Sequence, residues 1–173
     1  MLVGCSSTTF AINNAYSDIA SGLAETILVI NPEISTPFVN FKRRDIHFIF
    51  GDGCVASVIS KKNNSDNCFK IIDRKLITKF SNNIRSDWSY LVRAAGDDKS
   101  FDDLLFYQNG NSVFKEVCPM VGKFISSQLD TNNIKPDEIS KFWLHQANSR
   151  MVNLIVSKTV SYTHLTLPTL LLV

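Results

Sequence analysis

A thiol at position 5 and an imidazole at position 145 are the side chains best placed by local pattern to do chemistry. Each follows a short apolar run and precedes a polar turn and a helical pattern. Met1 to Val3 runs into Gly4, Cys5 and the cluster Ser6-Ser7-Thr8-Thr9. Apolar residues then recur at Ile12, Ala15, Tyr16, Ile19, Ala20 and Leu23, the rhythm of one helix face. Cys5 is therefore expected at a strand-to-helix turn, beside unpaired N–H groups at the positive pole of the helix, which favour thiolate over thiol. Such a place suits a nucleophile. It also suits an inert thiol, since free cysteine is among the most buried residue types. Phe142-Trp143-Leu144-His145 and Gln146-Ala147-Asn148-Ser149-Arg150 repeat this layout. Two such β-α junctions could face each other, because active sites of open α/β sheets lie at strand C-termini.

The surrounding chain must supply a fold for those turns. Its 173 residues are enough for a real core. Apolar residues make up 45% and charged residues 20%, as in a soluble globular protein. A net charge of +2 argues against nucleic acid or a membrane surface as partner. Cysteines at 5, 54, 68 and 118 form no C-x-x-C pair and stand without clustered histidines, so neither a metal site nor a disulfide framework is expected. Reduced thiols in a cytosol fit best. No signal-peptide pattern opens the sequence. The apolar run Leu165–Val173 contains Pro168 and is too short to span a bilayer.

In chain order, Ser21-Gly22 should end the first helix, and Thr26–Ile30 reads as a strand buried on both faces in a parallel sheet, closing a β-α-β unit. A polar loop with the basic knot Lys42-Arg43-Arg44 follows. Ile46–Phe50, a Gly51-Asp52-Gly53 turn and Cys54–Ser60 predict strand, turn and strand. The glycine pair could cradle phosphate but lacks the spacing of a nucleotide-binding loop. Phe69–Ile72 and Leu76–Phe80 read as further strands, and residues 81–112 as a polar excursion. Val113–Leu129 predicts an amphipathic helix in which Pro119 imposes a kink near Glu116 or a start near Cys118. Pro136 should open a short helical turn, with Asp137 and Glu138 suited to its first turn. Phe142–His145 reads as a strand and Met151–Lys158 as a helix.

Together, Gly4-Cys5-Ser6, Phe50-Gly51-Asp52-Gly53, Gly110 to Lys115, Pro136 to Ile139 and His145-Gln146-Ala147-Asn148-x-Arg150 resemble the β-ketoacyl-acyl-carrier-protein synthase III family of the thiolase superfamily. The resemblance covers about residues 1–158. It implies an α/β, thiolase-like layered αβαβα fold, here incomplete. Residues 1–60 would be the end of a first half carrying the nucleophile, and 61–158 a partial second half carrying the histidine. It implies an acyltransferase of fatty-acid or related synthesis, working by decarboxylative Claisen condensation. Cys5 would take the acyl group from acyl-CoA, and its backbone N–H would serve as one oxyanion donor. His145 would hydrogen-bond the malonyl thioester oxygen as decarboxylation of malonyl-acyl-carrier protein makes an enolate.

The resemblance places Asn148 near the pantetheine arm of CoA. It places Arg44 near the CoA entrance, or leaves it a solvated charge. Phe50 would line the acyl channel or fill core. Arg150 would dock the acidic carrier protein. No cofactor or metal beyond the substrates is implied, and the full-length enzyme would be a cytoplasmic homodimer. Phe80 to Arg85 and Val113 to Pro119 resemble a branch taking longer acyl primers.

The sequence also departs from the family. Family members are much longer, and their nucleophile lies well inside the chain. A G-N-x-S-like turn after the histidine and a glycine-rich oxyanion segment have no counterpart here. Residues 159–173 look foreign to the family. The chain therefore reads as a fragment that alone folds poorly and condenses nothing. An ester-forming or hydrolytic relative, or a non-catalytic interaction subunit, are the alternatives.

Overall fold

The computed structural model describes residues 4–62, 66–86 and 105–159. They form two compact units: residues 4–80 with Leu105, and residues 81–86 with 106–159. The expected first strand at Met1–Val3 and the tail from residue 160 lie outside the described residues.

In the first unit a 3-10 turn, Gly4–Ser6, leads into helix α1, Ser7–Ala20. Fourteen residues without Gly or Pro sustain it, and Ala15 and Ile19, four apart, are its buried stripe. It ends at Ser21 and Gly22 as the sequence predicts. Gly22 takes φ +80°, and the N–H groups of Leu23 and Ala24 turn back to the Asp18 carbonyl. Leu23, placed on the apolar stripe by spacing, falls past this reversal and is exposed.

Strand β1, Thr26–Glu33, pairs antiparallel with β2, Gly53–Ser60, in a register running from Thr26 opposite Ser60 to Glu33 opposite Gly53. This corrects two expectations. Among the described residues β1 has an antiparallel neighbour, not a parallel one, and the strand runs on through Asn31-Pro32-Glu33 beyond the expected Thr26–Ile30. Pro32 is tolerated near the strand end, where a missing N–H costs least. The strand is not buried on both faces either. Helix α1 lies against the pair, and Val29 is buried, whereas Leu28 and Ile30 on the opposite face are each 56% exposed. Apolar side chains occupy both faces, but the described residues cover one.

Ile46–Phe50 is also not a strand. It forms successive turns in which Ile46 and His47 donate backbone N–H groups to the Arg43 carbonyl, and Ile46 is fully buried. The apolar run serves to anchor a loop. Phe69–Ile72 and Leu76–Phe80 form no strand among the described residues and run as irregular, mostly exposed backbone. That segment is tied to α1 by Arg74, which stacks 4.0 Å over the Tyr16 ring and donates to the Asn13 carbonyl and Ser17 Oγ.

In the second unit, short strands β3 (Ile84–Ser86) and β4 (Phe106–Gln108) pair antiparallel. Helix α2, Gly110–Thr131, starts from Asn109, whose side chain accepts the Ser112 N–H. The helix runs through Pro119 instead of starting near Cys118, because Asn109 caps it well upstream and the exposed proline removes one internal donor. It closes at Asn132 and Asn133, the latter at φ +54°. A 3-10 turn at Pro136–Glu138 follows, as expected, with Glu138 accepting the Lys135 N–H.

Helix α3, Ser149–Thr159, packs on α2. Its buried residues Val152, Ile155 and Val156 recur at helical spacing, each worth about 1.5–3 kcal/mol when fully buried. Buried Gly122 of α2 lies at this contact, where a Cβ would stand 3.7 Å from Lys158 Cβ, an ordinary packing distance. Phe142 and Leu144 pack against Val152 and Val156 while Trp143 points outward. The period-2 alternation of a strand is present, but no partner strand is found among the described residues, so Phe142–His145 is extended chain. No described helix is long and apolar enough to cross a membrane.

Candidate active site

The first unit carries Cys5, Arg44 and Phe50, and the second carries His145, Asn148 and Arg150.

Cys5 occupies the middle of the 3-10 turn that feeds α1 and is exposed. The thiol is therefore not buried. The turn is made by Gly4, whose φ of +60° is a left-handed conformation that a side chain resists. The Ser7 hydroxyl donates to the Gly4 carbonyl at 2.8 Å and holds the turn closed. No side-chain cap from Ser6 occupies the helix start. The first backbone N–H groups of a helix have no intrahelical acceptor, so this end can receive a negatively charged oxygen close to the sulfur. The other cysteines differ in setting. Cys54 and Cys68 are exposed, whereas Cys118 is buried in α2 and burial pushes its thiol above the ordinary range, with Lys158 opposing.

Arg44 and Phe50 belong to the loop between β1 and β2. Arg43 pairs with Asp45, Nη2 to Oδ2 at 2.6 Å, and draws that carboxyl below its usual range. Neighbouring Arg44 is exposed and makes no ion pair among the described residues. Phe50 is half-buried. Two residues on, Asp52 plays a part that the sequence reading missed. Its Oδ1 accepts the backbone N–H groups of Ser35 and Thr36 at 2.8 and 2.9 Å, and its Oδ2 accepts the Thr36 hydroxyl at 2.7 Å. These bonds, led by the Thr36 hydroxyl, hold the Asp52 carboxyl below its usual range. The available signal was Ser35-Thr36-Pro37, a turn start whose own side chain makes no cap, with an acidic residue returning to it between two glycines. The carboxylate in this turn makes a phosphate cradle a poor fit.

His145 is exposed at the end of the extended segment, immediately before the turn into α3. Asn148 caps that helix: its Oδ1 accepts the N–H groups of Arg150 at 2.9 Å and Met151 at 3.2 Å. The cap uses the amide oxygen and leaves the amide nitrogen as the group suited to donate outward. Arg150 is exposed in the first turn of α3, where a cation is disfavoured by the helix dipole by about 0.3–1 kcal/mol. Helix stability does not explain an arginine there.

The comparisons with known proteins agree with these motifs. The family model for 3-oxoacyl-[acyl-carrier-protein] synthase III matches residues 1–79. The chain is 46% identical over 160 residues to a β-ketodecanoyl-[acyl-carrier-protein] synthase of Pseudomonas aeruginosa, covering 91% of this chain and 45% of the relative. It is 29% identical over 157 residues to a β-ketoacyl-[acyl-carrier-protein] synthase III of Chlorobium phaeobacteroides, covering 86% of this chain and 46% of the relative. Among solved structures it is similar to the 3-oxoacyl-[acyl-carrier-protein] synthase III of Aquifex aeolicus, with TM-score 0.74, 25% identity, and coverage of 90% of this chain and 46% of the other. The corresponding Thermus thermophilus structure gives TM-score 0.72 at 20% identity, a likeness of fold, over 92% of this chain and 48% of the other. The fold is an incomplete thiolase-like α/β fold. The chain spans about half the length of the curated relatives it matches.

Proposed function

We infer that this chain belongs to the 3-oxoacyl-[acyl-carrier-protein] synthase III family and carries the acyl-accepting nucleophile and the enolate-stabilising histidine of a decarboxylative condensing enzyme. The observation that carries this reading is Cys5: an exposed thiol held by a left-handed Gly4 at the N-terminal end of α1.

The Cys5 sulfur would attack the thioester carbonyl of an acyl-CoA, forming acyl-Cys5 and releasing CoA as its thiol. Backbone N–H groups at the start of α1, that of Cys5 among them, would receive the developing oxyanion. Malonyl-acyl-carrier protein would then lose carbon dioxide. The electron pair of the broken C–C bond becomes an enolate, and an N–H of His145 would donate to its oxygen. The enolate carbon would attack acyl-Cys5, forming the new C–C bond and expelling the Cys5 thiolate, with β-ketoacyl-carrier protein as product.

Arg44 would meet the anionic end of CoA, Phe50 its acyl chain and Asn148 Nδ2 its pantetheine arm. Arg150 would meet the acidic carrier protein. The named Pseudomonas relative points to a medium-chain primer: a ketodecanoyl product implies an octanoyl primer, since each condensation adds two carbons. The whole enzyme would act as a homodimer in a reducing cytoplasm.

Peptide mapping after incubation with octanoyl-CoA tests the reading. An octanoyl thioester on Cys5, absent from Cys5→Ala, is expected. Equal acylation of Cys54 and Cys68 would contradict it.

A further inference from the structure

The F-G-D-G motif contains a carboxylate that the chemistry above does not use. We propose that Asp52 is a positioning residue, a clasp that closes the β1–β2 loop at its neck and thereby sets Arg44 and Phe50 for the acyl-CoA substrate. The proposal rests on the substrate roles given to those two residues above.

The loop spans residues 34–52 between Glu33 and Gly53, the last pair of the β1–β2 ladder. Beyond that pair the two chains part, and Asp52 is the first side chain to reach back across. It accepts from both backbone N–H groups at the opposite edge of the neck, Ser35 and Thr36, and from the Thr36 hydroxyl. A carboxylate with two oxygens and several lone-pair sites is suited to three donors at once, and such charge-assisted bonds are stronger than neutral ones. Ser35 makes no side-chain cap for the Thr36–Phe38 turn, so Asp52 supplies it from across the loop.

Inside the neck the loop is built as a body. The Val39 N–H returns to Thr36, the Arg43 N–H to the Asn40 carbonyl, the Ile46 and His47 N–H groups to Arg43, and the Ile49 N–H to Ile46. Val39, Asn40 and Ile46 are buried. A loop stiff within itself takes its placement from where its two ends are joined. Arg44 and Phe50 therefore inherit their position from the neck.

The test uses the whole chain and the variants Asp52→Ala, Asp52→Asn and Thr36→Val, read by amide hydrogen exchange and by calorimetric titration with octanoyl-CoA. Asp52→Ala should speed exchange at Ser35, Thr36 and residues 39–50 by about tenfold or more, the loss expected when two or three net hydrogen bonds go. Ile27 and Ile59, a hydrogen-bonded pair of the ladder, should keep their protection. Octanoyl-CoA affinity should fall by about tenfold. Asp52→Asn should restore most of both, because an amide oxygen can still accept the two N–H groups. Thr36→Val should give an intermediate effect.

Faster exchange confined to Ser35 and Thr36 would overturn the proposal. So would equal loosening of the ladder and α1, failure of the asparagine to rescue, or a loosened loop with octanoyl-CoA affinity unchanged. Wild-type protein that binds no octanoyl-CoA would instead overturn the functional reading, and the exchange data would then decide the clasp alone.

Discussion

Gly4 shows how a single backbone angle can govern a reactive side chain. Its φ of +60° sits in open space, with no atom within 4 Å of where a Cβ would stand. The objection to a side chain is thus conformational and not steric crowding from neighbours. Gly4→Ala should cost about 1 kcal/mol and lower the melting temperature by about 2–4 °C, measured by circular dichroism. It should also slow acylation of Cys5. The thiols give a second residue-scale expectation. Brief iodoacetamide treatment should label Cys5, Cys54 and Cys68, whereas Cys118 should react only after unfolding, because it is buried and its thiol is pushed up. Mass mapping with and without denaturant checks this, and octanoyl-CoA should protect Cys5 alone. At Asn148, replacement by Ala should cost about 1 kcal/mol through loss of the α3 cap, and replacement by Asp should keep the cap. Denaturant melts of the two variants, compared with their octanoyl-CoA affinities, separate the cap from any role in binding.

At the scale of elements, packing decides what local pattern leaves open. The α2–α3 contact runs over buried Gly122, where a Cβ would make an ordinary 3.7 Å contact with Lys158 Cβ. Gly122→Ala should therefore be neutral or stabilising by about 0.5–1 kcal/mol. Gly122→Leu should be destabilising by about 1–3 kcal/mol, because the extra carbons must fit between packed helices; thermal melts check both. The β1–β2 loop carries a pH expectation. Asp52 is held below its ordinary 3.8, so its contribution is fully present above that value and is lost as pH falls through the lower folded value. Protection of Ser35 and Thr36, measured relative to the intrinsic exchange rate, should fall in that acid window in wild type and stay constant with pH in Asp52→Asn.

Helices α1 and α3 and the Pro136 turn were legible because periodicity, Gly22 and Asn148 are local signals. Ile46–Phe50 misled because a short apolar run has the same composition whether it forms a ladder or anchors a loop. The antiparallel partner of β1 was hidden because its apolar residues occupy both faces. Cys5 and His145 stood out through their motifs. Asp52 did not, because its partners lie 16 and 17 residues away.

For the whole molecule, the outer face of the first unit's strand pair is the informative surface. Leu28, Ile30 and Val58 are all exposed there, Leu28 directly opposite Val58. Contiguous apolar surface of this kind binds hydrophobic dyes and promotes association. The chain should accordingly bind an anilinonaphthalene dye, and Leu28→Lys with Val58→Lys should reduce the fluorescence without loss of α-helical circular dichroism. The central claim concerns a different surface, the thiol at the start of α1. Intact-mass spectrometry with octanoyl-CoA, followed by peptide mapping, tests it most directly. One octanoyl group on Cys5, removed by hydroxylamine and absent from Cys5→Ala, is the expected result. An adduct that persists in Cys5→Ala, or one shared evenly among the exposed cysteines, would contradict it.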